Sequence, residues 1–266
     1  LSSVAAVLAI LFLAYRRKTL LAFAFVPLAS GLALTFGFAA VSVGELNSAT
    51  GGVAALLIGL GIDFTACTML PIDANGQPLC FDPKWRDNPH AWVKLWKHHA
   101  AQPEANKINE TAEKMGETFL ARYGGKISSE WFFAKALQIL DEAPEVYAAA
   151  DRLIEAADWV IWQLTGVKTR NTCTAGYKML VQDGDYPSRE YFAALHPDFA
   201  DVIEQKVGRE FVPLGANAGG LTEAWAAKTG LRPGIAVAVA NVDAHVTAPA
   251  VKATQAGVMV MIMGTS

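Results

Sequence analysis

The run Asn241-Val242-Asp243-Ala244-His245 directly follows an apolar, strand-like stretch and is the strongest place in the sequence for chemistry. A carboxylate at the carboxyl end of a buried strand in an α/β sheet faces the ligand crevice, where it can take a proton from a substrate hydroxyl. The same Asp243 can instead cap the helix that follows, and spacing alone favours the cap. His245 reads as a packed or surface histidine, since no Ser-His-Asp arrangement accompanies it. Lys178 reads by default as a solvated lysine, yet the polar run over residues 168–176 can act as a flexible loop that presents its ammonium to a substrate oxygen. Gly264-Thr265-Ser266, after another apolar run, offers backbone N–H groups and hydroxyls in a tight turn, a modest phosphate cradle. There is no G-x-x-x-x-G-K-[ST], so a P-loop fold is excluded. Asp63 is the lone carboxylate of an apolar helical stretch over residues 53–64. His98 and His99 are adjacent, so on a helix they point apart, and no carboxylate stands at i+4. They read as surface rather than as metal ligands.

Positioning these groups falls to an alternation of helices and strands. Residues 61–71 read as a strand opening a hairpin, with its turn at Ala74-Asn75-Gly76-Gln77, because Asn-Gly suits consecutive positive φ angles. Residues 82–89 read as loop and 90–99 as a short helical stretch. An amphipathic helix is expected over residues 104–123, with Ile108, Met115, Phe119 and Leu120 inward and Gly124-Gly125 as its stop. Ser128 and Ser129 would cap a helix over 130–141. Pro144 would start one long helix running to Thr165, with Gly166 after it. Further helices are expected over 187–195 and 221–229, the latter stopped by Gly230. Residues 235–240 and 257–263 are continuous apolar runs bounded by turn residues, as buried strands are. The class is α/β.

The 266 residues carry a net charge of −3, but the average conceals a break. Residues 1–62 hold only four charged side chains, Arg16, Arg17, Lys18 and Glu45. The remainder is mildly acidic, with no basic stripe and no interleaved aromatic and basic run, which argues against nucleic acid and for a small-molecule partner. Cys67, Cys80 and Cys173 lie far apart without a C-x-x-C pair, so free thiols in a reducing compartment are expected rather than a zinc site or disulfides. Residues 19–44 run 26 positions without a charge, longer than the roughly 20 apolar residues a bilayer span needs. With residues 2–15 before them and residue 49 onward after them, they read as two to three transmembrane-type helices, Arg16 to Lys18 marking the cytoplasmic side. A membrane helix does not resolve naturally into a tight hairpin. The chain therefore reads as a composite of a membrane segment, residues 1–62, and a soluble domain, residues 63–266, with the seam near Asp63. Its start in mid-run at Leu1 and its end after an apolar run read as those of a fragment.

Two resemblances accompany these readings. Arg16-Arg17 before a long span, Leu46-Asn47 with Thr50, and Gly59-Leu-Gly-Ile-Asp63-Phe64 resemble the membrane part of RND superfamily exporters of the MMPL and hopanoid-transporter-like branch. That resemblance implies a proton-relay carboxylate at Asp63, in keeping with the cost of an ionisable group in lipid. Seven ordered blocks in the rest of the chain resemble the FGGY carbohydrate kinases, the ribulokinase branch most of all. They are Asp63-Phe-Thr-Ala66-Cys-Thr-Met-Leu-Pro71, Leu95-Trp-Lys-His-His-Ala-Ala-Gln102, Lys126-Ile-Ser-Ser-Glu-Trp131, Ala175-Gly-Tyr-Lys178, Gly219-Gly-Leu-Thr222, Asn241-Val-Asp-Ala-His245 and Gly264-Thr-Ser266.

That second resemblance implies most of the first domain of an actin-like, ribonuclease H-like ATPase fold. It implies transfer of phosphate from ATP, with Mg²⁺, to L-ribulose in the cytoplasm. Asp243 would be the base, Ala66 by its backbone and Lys178 by its side chain sugar contacts, and Thr265 a contact to the ATP phosphates. Phosphoryl transfer needs just such positioning and charge compensation. The family's first strand and Asp-Gly-Thr phosphate loop are expected before Gly61, where membrane-type sequence stands instead, and the second domain after Ser266. The chain as given is therefore expected not to turn over. An exporter fragment using Asp63 and a sugar-binding half-domain without catalysis are the alternative readings.

Overall fold

The computed structural model describes residues 66–261. Asp63, Thr265 and the transmembrane-type segment over residues 1–62 lie outside the described residues, among which no helix is long and apolar enough to cross a membrane. The chain divides into two units, Leu1–Gly59 and Leu60–Ser266, and everything described below belongs to the second.

Strand β1, Met69–Ile72, is buried at every position and pairs antiparallel with β2, Arg152–Glu155, in the register Met69 to Glu155 through Ile72 to Arg152. Between them come three helices. Helix α1 spans Gln102–Met115, α2 Phe132–Glu142 and α3 Pro144–Ala149. After β2 follow α4, Ala156–Thr165, a short strand β3, Arg170–Asn171, and α5, Thr172–Lys178. Helix α6, Arg189–Leu195, leads to β4, Phe211–Val212, which runs parallel to β3. Strand β5, Asn217–Gly220, pairs antiparallel with β6, Ala236–Ala238, across helix α7, Glu223–Thr229, and α8, Asp243–Ala250, follows.

The main core is built around α2, whose residues from Phe132 to Leu140 are all buried, as expected of a helix with no polar stripe. Phe133 is its hub. Its ring lies 4.9 Å from Phe192 on α6 and 6.2 Å from Phe199, while the Tyr191 hydroxyl donates to the Ile108 carbonyl of α1 at 2.9 Å. Smaller apolar groups flank this core. One joins Leu70 and Ile72 to Ile154, and another joins Ile161 to Ala218 and Val239.

Several local expectations hold. The turn after β1 forms, with Gly76 at φ 79° and the Asp73 carboxylate accepting from Asn75 N–H and Gln77 N–H, but Asn75 does not share the positive φ, so the two consecutive positive angles expected of Asn-Gly do not occur. Gly166 and Gly230 end α4 and α7 in the left-handed conformation, and the helix expected over 187–195 forms as α6, with a cap that the sequence reading did not include, Ser188 accepting from Tyr191 N–H.

Others are corrected. The helix expected over 104–123 stops at Met115 because Gly116 turns left-handed there, and Phe119–Tyr123 is a separate 3-10 turn. Ile108, Phe119 and Leu120 are buried, but Met115 points outward at 43% exposure. The long helix expected from Pro144 to Thr165 is broken by β2, because pairing of Leu153 and Ile154 with β1 outweighs local helix preference. Of residues 90–99, only His90 and Ala91 are helical, in the 3-10 turn Pro89–Ala91, and Lys94 exchanges backbone hydrogen bonds with Met69. Helix α2 starts at Phe132 without a serine cap, the Ser128 hydroxyl accepting from Glu130 N–H before the helix begins. The run at 235–240 yields β6, whose three residues stay exposed or half-buried while Val239 after them is buried, and 257–261 forms no strand. An apolar run can be buried only where another element lies against it.

Candidate active site

The site is assembled from its supports inward. Asp158 on α4 and Arg170 on β3 form a buried ion pair, Nη1 to Oδ2 at 3.1 Å. Arg170 also donates to the Val207 carbonyl, and the other Asp158 oxygen accepts from Asn171 N–H and Nδ2 at 2.9 Å each. Burial holds the Asp158 carboxyl above its ordinary pKa although Arg170 and Asn171 pull it down. Asn171, fixed in this way, caps α5 by accepting from Thr174 N–H at 2.8 Å. Helix α5 is thus anchored at its start, and Lys178 is its last residue.

Lys178 is not the solvated lysine its surroundings in sequence suggest, nor does a flexible loop present it. It is 3% exposed, and its ammonium meets Glu130 Oε2 at 3.0 Å. The rings of Trp131, Tyr177 and Trp96 stand 5.4, 5.4 and 5.9 Å from Nζ, a partial aromatic cage. The Trp96 carbonyl lies 3.5 Å away. A dehydrated ammonium with one carboxylate partner keeps donor capacity for a ligand oxygen.

Ala66 precedes β1, and its carbonyl accepts from Ala157 N–H at 3.3 Å. The next peptide is held by Lys135, a wholly buried lysine on α2 whose ammonium donates to the Cys67 carbonyl at 3.0 Å and the Leu95 carbonyl at 3.1 Å. One side chain therefore ties the segment following Ala66 to the segment carrying Trp96. Burial draws the Lys135 pKa down to about 8, with Glu155 opposing. Glu155, at the end of β2, is buried, and among the described residues neither carboxylate oxygen has a hydrogen-bond partner, although the Thr174 hydroxyl lies near it. Burial pushes Glu155 up to about 7, against the pull of Thr174, Arg170 and Lys135.

Asp243 opens α8, and Val242 rather than Asp243 holds the N-cap position. Helix α8 is joined to α5 two residues further on, where the His245 ring packs edge-on at 4.5 Å from Tyr177 and its Nδ1 lies 3.0 Å from Cys173 Sγ. Together with Arg122, Tyr123, Trp131 and Gly176 these residues line an open cleft of about 540 Å³. The structure thus sets Ala66 against α4, Lys178 at the end of α5 and the first turn of α8 against α5, while Thr265 and Asp63 are not described.

Glu130, Lys135, Glu155 and Cys173 carry no sequence signal of their own. Only the unusual placement of a lysine within the apolar run of α2 hints at Lys135. His98, read as surface, is half-buried and bonds Gln138 at 2.8 Å.

The family model for the N-terminal domain of the FGGY family of carbohydrate kinases matches residues 59–249. That match takes in Gly59 to Phe64, which also carried the exporter resemblance, and it lends the exporter reading no support. Ribulokinase of Halalkalibacterium halodurans is 59% identical over 211 residues, covering 79% of this chain and 38% of its own length. Ribulokinase of Mycolicibacterium smegmatis is 57% identical over 210 residues, covering 79% and 37%. The chain therefore spans less than two fifths of the curated relatives it matches. A ligand-bound xylulose kinase of Lactobacillus acidophilus shares the fold, with a TM-score of 0.50 at 12% identity over 71% of this chain and 35% of that one. With the family model spanning well over half of its length, the chain belongs to the FGGY family of carbohydrate kinases.

Proposed function

We propose that this chain forms the sugar-holding part of a kinase that phosphorylates a ketopentose, L-ribulose, at the expense of ATP in the cytoplasm. The observation that carries the reading is Lys178, a buried ammonium caged by three rings and, among the described residues, paired with the carboxylate of Glu130 beside a cleft. An ammonium removed from water is costly unless paired, so its retention with spare donors points to a polar ligand. The identity with ribulokinases supports L-ribulose as that ligand.

In this reading Lys178 donates to a sugar oxygen, the backbone at Ala66 contacts the sugar, and Asp243 accepts the proton of the attacking hydroxyl. Trp131 and Tyr177 wall the cleft and exclude water from the ammonium. ATP with Mg²⁺ supplies the transferable phosphoryl group. Thr265 is the residue assigned to the ATP phosphates. Among the described residues no group of three or more His, Cys, Asp or Glu side chains is placed to hold a metal.

Titration calorimetry of the full chain with L-ribulose tests the reading. Binding is expected for the parent chain and a loss of at least about tenfold in affinity for Lys178→Met, the scale of one charge-assisted hydrogen bond. Absence of any ribulose-dependent heat, or equal binding by the variant, would overturn it.

A further inference from the structure

We propose that Cys173 is a modification site for low-molecular-weight disulfides, with His245 as the base that activates its thiol. The three thiols are unpaired but differently placed. Cys67 and Cys80 are buried at 4% exposure each, while Cys173 is half-buried and lines the 540 Å³ cleft. Only Cys173 has an imidazole in contact, His245 Nδ1 at 3.0 Å from Sγ. A thiol and an imidazole in contact at the wall of an open cleft are the parts of an activated sulfur nucleophile.

The surroundings define how the pair works. Burial and the Glu155 carboxylate raise the Cys173 pKa, while the Val242 N–H, standing at the N-terminus of α8, lowers it. The resting thiol is therefore protonated and protected, and His245 takes its proton as sulfur attacks. In the step, Cys173 Sγ forms a bond to one sulfur of the incoming disulfide, the disulfide bond breaks, and the leaving thiolate takes the proton from His245. One mixed disulfide and one small thiol result, with no net change in oxidation level. Cys67 follows a different course, because burial pushes its thiol up and the packing around it leaves no approach.

The adduct has a structural consequence. His245 holds α8 against α5 through both Cys173 and Tyr177, and α8 begins with Asp243. A group added to Sγ displaces the imidazole from sulfur and fills the cleft beside the Lys178 cage. On the sugar-kinase reading above, modification closes the site to its sugar, and a reducing thiol reopens it.

The test is the rate at which the full chain reacts with dithiodipyridine, followed by absorbance of the released pyridinethione, with the adduct mapped by mass spectrometry. One fast equivalent at Cys173 is expected, at least about tenfold faster than either other cysteine, and the fast phase disappears in Cys173→Ser. Both His245→Asn and His245→Gln are expected to slow it at least about tenfold, as loss of a general base does, with unchanged far-ultraviolet circular dichroism showing that they fold. Equal rates at the three cysteines, or a fast phase untouched in both histidine variants, would overturn the proposal. Calorimetry with L-ribulose before and after modification reads the consequence separately. Loss of binding that returns with dithiothreitol supports closure, and binding retained by the modified chain refutes it. A parent chain that never binds ribulose refutes the sugar reading while the labelling result still decides the modification site.

Discussion

Residues 102–207 and residues 211–261 use apolar side chains in opposite ways. In the first region Phe132, Phe133, Tyr191, Phe192 and Phe199 are essentially inaccessible, packed ring to edge around α2. In the second, Val246, Val251, Val258, Met259 and Met261 face outward, although several belong to runs that look like core strands. The first region surrounds its central helix with neighbours from both directions along the chain. The second offers short two-stranded pieces with few described neighbours. Apolar character measures the tendency to be covered, and only a partner element realises it.

The sharpest way to break this contrast is to remove the hub of the first region. Phe133→Ala is expected to cost about 3–5 kcal/mol in denaturant unfolding, the range for a large aromatic deleted from a packed core. A loss below about 1 kcal/mol would show that α2 is not the centre of a cooperative core.

Next in size is a pH effect confined to the buried charges. The Glu155 carboxyl, ordinarily near 4.5, is raised to about 7 by burial. Between those values the folded state holds a proton that the unfolded chain has released, so this group's contribution is complete below 4.5 and is lost as pH rises through about 7. Lys135 acts on the other side, since burial lowers it from 10.5 to about 8. The folded state gives up its proton where the unfolded chain retains one, and stability recovers with rising pH over that interval. Glu155→Gln is expected to remove the acid-side decline, on the order of 1–3 kcal/mol, and to leave the alkaline recovery in place. Identical pH profiles for parent and variant between 4.5 and about 7 would sink this account.

The smallest effect sharpens the comparison from the other side. Met259, 83% exposed, is expected to accept serine within about 0.5 kcal/mol. A cost near that of Phe133→Ala would mean that residues 257–261 are covered in solution and that the two regions are alike.

The signals that local sequence carries were those acting within one turn of backbone. Gly76, Gly166 and Gly230 set a turn and two helix stops through their φ preferences, each where its type predicts, whereas Asn75 does not take the positive φ that Asn-Gly suggests. Lys178 was noticed, but its burial, its aromatic cage and its Glu130 partner were not, because Glu130 lies 48 positions away. Lys135 and Glu155 were missed for the same reason. Their meaning comes from carbonyls and charges delivered by β1, the Leu95 segment and α5.

By itself the sequence determined the α/β class, the punctuation of most helices and, through seven short blocks in order, the family. The tertiary structure alone decided that residues 152–155 are a strand, that an interior lysine staples two segments, and that Cys173 meets His245 across 72 positions. The division has one physical cause. Backbone preferences are spent within a few residues, whereas burial, desolvation and ion pairing depend on which distant segments arrive at the same place.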